Sequence, residues 1–128
     1  MTKESIEKVV NSYFTNMTAM NAQGWLEIFA EDAVICDPVD KPPMNAKSDG
    51  EKLFALLSKF YAKLELTPNN TFIVGNGAAV KWTMQVVAKN GKQAVAEGIS
   101  VFEINENGTI QKLSSYWDEA AMLAQIKG

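Results

Sequence analysis

Few side chains in this 128-residue sequence can move a proton or attack a carbon. There is no histidine, and all 12 basic residues are lysines, so arginine is absent too. Histidine general bases, Ser–His and Cys–His nucleophile pairs and histidine-ligated zinc are therefore excluded within the chain. So are bidentate arginine clamps on phosphate or carboxylate. Chemistry must come from Asp, Glu, Tyr, Lys, Ser, Thr or the single Cys36. Two polar groups sit in apolar surroundings: Tyr13, inside a hydrophobic stripe, and Asp37, at the end of a short apolar run and just before Pro38. Taken alone, Tyr13 reads as a core tyrosine with a tethered hydroxyl, and Asp37 as a strand-end residue in an Asx turn. Cys36 alternates with Asp37, and with no histidine to activate it reads as a small buried hydrophobe.

The elements that must position these groups are legible from periodicity. Ile6, Val9, Val10, Tyr13, Phe14 and Met17 form one stripe, predicting a helix over residues 3–20 with Thr2 as its cap. Asn21 can cap a shorter helix carrying Trp25, Ile28 and Phe29, with Trp25 serving helix packing. Ala33-Val34-Ile35-Cys36 reads as a strand that Pro38 ends, since proline lacks an amide donor. Residues 38–47 hold three of the four prolines and read as a loop in which Asp40 is solvated. Ser48 and Glu51 match a capping box for a helix bearing Leu53, Leu56, Leu57, Phe60 and Leu64. The period then changes to two. Gly75-Asn76-Gly77, Asn90-Gly91 and Asn105-Glu106-Asn107-Gly108 separate strands near 64–74, 79–89, 92–104 and 109–117. Asp118 can cap a final short helix.

This order describes an α+β domain whose antiparallel meander carries helices on one side. Trp82, Met84 and Val86 alternate with Lys81, Thr83 and Gln85, so the first set faces inward. In the next strand Ala94, Ala96, Gly98, Ser100 and Phe102 share a face; four are small, which suits a cavity wall or close helix packing. Glu97 and Glu103 lie on the opposite face.

Several strings resemble a known family: Val9-Val10-Asn11-Ser12-Tyr13, Leu26-Glu27-Ile28-Phe29-Ala30-Glu31-Asp32-Ala33, Asp37-Pro38-Val39 and Tyr116-Trp117-Asp118-Glu119. Together they resemble the ketosteroid isomerase branch of the superfamily containing nuclear transport factor 2 and the SnoaL-like polyketide cyclases. The resemblance covers nearly the whole chain. It implies a single domain over residues 1–128, a conical α+β barrel of three helices on a curved, mostly antiparallel sheet around a pocket, and usually a homodimer with no cofactor and no metal. By this resemblance Asp37 is the general base and Tyr13 the oxyanion donor. Ser100 stands where the family has a protonated aspartic acid, and Trp117 borders the pocket. With Trp82, Met84 and Phe102, Ser100 and Trp117 make the expected substrate-binding set. The implied ligand is a small apolar carbonyl compound and the implied reaction a proton transfer beside the carbonyl. A SnoaL-like cyclase and a non-catalytic binding or dimerisation module are the alternatives.

Composition narrows the partners. Hydrophobic residues make up 47% and the net charge is −3, so no nucleic-acid partner is expected. No run approaches the roughly 20 apolar residues of a membrane span. A lone cysteine and a charged N-terminal stretch without an apolar run fit a cytoplasmic location.

Overall fold

The computed structural model describes residues 2–127. Helix α1 (Lys3–Ala19) starts where Thr2 accepts a hydrogen bond from the Ser5 amide at 3.0 Å, and buries Ile6, Val10, Tyr13 and Phe14. It ends at Met20, whose left-handed conformation (φ 52°) lets its amide reach the last carbonyls. Helix α2 (Ala22–Glu27) is capped by Asn21, as its spacing predicted. Strand β1 (Phe29–Cys36) begins four residues earlier than expected. A register shift between Phe29 and Val34 lets the charged Glu31-Asp32 segment belong to the strand while breaking its alternation.

The proline-rich loop holds a two-residue strand, β2 (Met44–Asn45), which pairs with β1 and leads into α3 (Ala46–Phe60). The cap of α3 is Asn45, not Ser48. Asn45 Oδ1 accepts the Ser48 amide at 2.9 Å, while its Nδ2 donates to the Glu31 and Ala33 carbonyls at 3.1 and 3.3 Å. The cap thereby ties α3 to β1, which the Ser48–Glu51 pair is placed too late to do.

Strand β3 (Tyr61–Val74) follows α3 without a loop. Pro68 lies within it, at a register shift between Pro68 and Asn70 on an edge strand, where its missing amide is tolerated. Strands β4 (Gly77–Ala88), β5 (Gln93–Ile104) and β6 (Ile110–Tyr116) complete the meander, and Asp118 caps α4 (Glu119–Ile126). The sheet order is β2-β1-β6-β5-β4-β3, with only β1 and β6 parallel.

The fold is the expected α+β arrangement of helices on a curved, mostly antiparallel sheet, with four helices in place of three. Helix α1 packs on β3 and β4, α3 on β1, and α4 against β5. Trp82, Met84 and Val86 are buried while Lys81 and Gln85 are exposed, so β4 faces as its alternation predicted. No helix among the described residues is long and apolar enough to cross a membrane.

Candidate functional site

Between the helices and the sheet lies a cavity of about 120 Å³, walled mostly by apolar side chains. It shares Ile35, Asp37, Met44, Leu53, Leu57, Tyr61 and Glu119 with a wider outer chamber of about 700 Å³. The acid, Asp37, directly follows the last residue of β1. Ile35 and Asp37 both line the inner cavity. Cys36, between them, is paired in register with Ser114 and is half-buried, more exposed than a core hydrophobe. The Val39 amide donates to the Ser115 carbonyl at 3.0 Å, fastening the segment after Asp37 to β6.

Asp37 is held by one strong contact. Trp117 Nε1 donates to Asp37 Oδ1 at 2.7 Å, and Oδ2 accepts no hydrogen bond among the described residues. Burial raises the Asp37 carboxyl above the ordinary carboxylate range. The Trp117 hydrogen bond opposes this, Glu119 adds to the rise, and Lys41 opposes it. Lys41 and Glu119 form an ion pair beside it.

Tyr13 reaches the cavity from α1. Its ring meets Phe14, Phe29 and Phe102 edge-on, with centroids 5.1, 6.4 and 5.2 Å away. The residue is 3% exposed, and its hydroxyl has no hydrogen-bond partner among the described residues. Burial first, and then the Asp37 charge, push the phenol well above its usual pKa. It stays protonated at neutral pH and so has a proton to donate to an oxygen that becomes negative.

Ser100 lines the same cavity from β5, within a buried chain of hydrogen bonds. Trp82 Nε1 donates to Ser100 Oγ at 2.9 Å, and the Ser100 and Ser115 hydroxyls are 2.7 Å apart. With Ser115 as donor, Ser100 accepts two hydrogen bonds and keeps its own proton for a ligand. With the direction reversed, that proton is used up. Trp117 and Trp82 meet edge-on at 5.8 Å.

Gly98 is why both indoles fit. A Cβ there would lie 2.6 Å from the Tyr116 carbonyl oxygen, 2.7 Å from Trp117 Cβ and 2.8 Å from Trp82 Cζ2. The small residue at this point of β5 makes room for the tryptophans.

Of the sequence-derived candidates, Asp37, Tyr13, Ser100, Trp117, Trp82 and Met84 all line the inner cavity. Phe102 does not. It is fully buried with its ring against Tyr13 and Phe14 of α1, so it backs the pocket instead of facing a ligand. Trp25, expected only in helix packing, lies on the cavity wall while its ring meets Phe29 at a tilt of 46° with centroids 4.4 Å apart, and its Nε1 is buried without a partner. Ser115, Tyr61 and Glu119 were not anticipated. Leu113, Ser115 and Trp117 share one face by alternation, a signal that was available for Ser115. Asp40 is exposed, as are Glu97 and Glu103, and Glu97 meets Lys81 at 3.4 Å. No three potential metal ligands cluster among the described residues.

The SnoaL-like domain model matches residues 10–113. Three solved structures share the fold. A provisionally assigned polyketide cyclase from Xanthomonas campestris pv. campestris aligns with a TM-score of 0.88 and 15% identity, over 98% of each chain. SalBIII, an epoxide hydrolase/cyclase-like enzyme with a role in pyran ring formation in the polyether salinomycin, aligns at 0.81 and 18%, over 92% of this chain and 94% of its own. The Δ5-3-ketosteroid isomerase of Mycobacterium sp. aligns at 0.76 and 21%, over 92% and 96%. At these identities the likeness is one of fold.

Proposed function

The chain belongs to the SnoaL-like domain family, and from that premise we propose that it transfers a proton next to a carbonyl group, without a cofactor, using Asp37 as base and Tyr13 as oxyanion donor. The observation that carries this reading is the meeting of a carboxylate and an unpartnered phenol on one apolar cavity. Asp37 removes a proton from the carbon beside the carbonyl. The C–H electron pair becomes the enolate double bond, and negative charge collects on the oxygen. Tyr13 donates to that oxygen, a contribution of roughly 10²–10³-fold for one such donor. Asp37 then returns the proton to another carbon of the dienolate. Desolvation strengthens the carboxylate as a base, and Trp117 holds one oxygen so that the other is left for the proton.

The outer chamber also supports a cyclase reading, in which the same enolate attacks a second carbonyl of a longer, folded substrate. Both reactions need Asp37. A binding module would not.

The test is ultraviolet-monitored isomerisation of a β,γ-unsaturated 3-ketosteroid. Asp37→Asn should lower kcat/KM by about 10²–10⁴-fold, the usual worth of a general base, with ligand affinity retained. Turnover surviving that change would remove Asp37 from the mechanism. Ligand binding without turnover in the native chain would favour the binding module. Two further features belong to this reading: pairing of two copies through the outer sheet face, and a cytoplasmic setting, which the lone Cys36 supports.

A further inference from the structure

The inner cavity, at about 120 Å³, is smaller than the roughly 300–1,000 Å³ typical of pockets that enclose a small molecule. A ligand with its carbonyl at Tyr13 must therefore extend past Asp37 and Tyr61 into the outer chamber of about 700 Å³. Hydrocarbon suits that chamber, since Leu56, Phe60 and Leu123 line it and are left 53%, 53% and 45% exposed.

Its charge is unlike that of the molecule. The chain carries −3, yet Lys41, Lys59 and Lys89 line the outer chamber against Asp37 and Glu119. Glu119 is taken by Lys41. Lys59 and Lys89 have no carboxylate within ion-pair distance among the described residues. The fold brings them together: the Lys89 amide donates to the Phe60 carbonyl at 3.0 Å, beside Lys59 in the last turn of α3. The helix dipole alone favours a lysine at that end, so Lys59 has a structural reason to be there. It gives none for Lys89, which comes from β4's far end.

We propose that the outer chamber takes the acidic tail of an apolar ketone, the carboxylate lying between Lys59 and Lys89 while the carbonyl lies at Tyr13. This rests on the proton-transfer reading and names its substrate class: a rigid or extended keto acid, with hydrocarbon between the two polar ends.

Calorimetric titration with 3-oxo-androst-4-ene-17β-carboxylic acid and with its methyl ester tests it, because the two differ only in charge at the end remote from the ketone. The acid should bind about 3- to 10-fold more tightly than the ester at low salt, the range of two exposed ion pairs. The preference should shrink as salt is added. The double substitution Lys59→Gln with Lys89→Gln should abolish it without changing the ester's Kd, which also reports that the variant is folded. Equal affinity for acid and ester, a preference that survives the double substitution, or no binding of either ligand would overturn the proposal. Tyr13→Phe separates the two readings. If it weakens both ligands equally, the ketone is at Tyr13. If it weakens neither while the acid preference persists, the tail site stands and the proton-transfer reading falls.

Discussion

At the scale of single residues, Asp37 is set by opposing influences, and the Trp117 indole is the one that can be removed without touching the acid. Burial raises the carboxyl and the Trp117 hydrogen bond lowers it. Trp117→Phe keeps a ring in place and deletes the donor, so the Asp37 pKa should rise further. In the proposed mechanism Asp37 must be deprotonated to act, so the acid limb of the kcat/KM profile should move to higher pH. A steady-state pH series measures this, and an unmoved limb would show that the indole merely packs. That Asp37, Tyr13 and Trp117 line the cavity was legible because each lies in one of the short strings on which the resemblance to the ketosteroid isomerases rests. Phe102 and Trp25 were misplaced for a different reason: alternation tells which face a side chain takes, but not how far along that face the cavity ends and the core begins.

At the scale of elements, the informative position is Gly98. Its neighbours are a backbone oxygen, a Cβ and an indole carbon, none of which is the far end of a flexible side chain. Gly98→Ala should cost about 1–3 kcal/mol by overpacking, visible as a lower Tm, and should displace Trp82 or Trp117. An unchanged Tm would mean that β5 and β6 separate more readily than their register implies. The hairpins were legible because Asn-Gly turns specify them, and Gly91 and Gly108 adopt positive φ of 85° and 81°. The starts of β1, β3 and α3 were not. At β1 a register shift hides the alternation. At β3 there is no turn residue to mark the change. At α3 the cap was chosen by contacts with β1, which are remote in sequence.

At the scale of the whole molecule, one face of the sheet is left uncovered. Val95, Ile99, Val101 and Tyr116 are 54%, 45%, 36% and 54% exposed, and Ile99 and Tyr116 are cross-strand partners. Glu97 and Glu103 interrupt this apolar face. The proposed pairing of two copies would cover it. Sedimentation should then give twice the 14.1 kDa chain mass, and Val101→Glu, which places a further carboxylate between Glu97 and Glu103 on that face, should yield monomer. A native chain that sediments as monomer at every concentration would discard the pairing.

The walls of the inner cavity have an optical consequence. The sequence contains three tryptophans, and Trp25, Trp82 and Trp117 all border that one space. No indole lies elsewhere to dilute the signal. Excited at the red edge, where tyrosine does not absorb, the protein's emission therefore comes from indoles that all border this cavity, and a ligand that enters it changes that emission without a label.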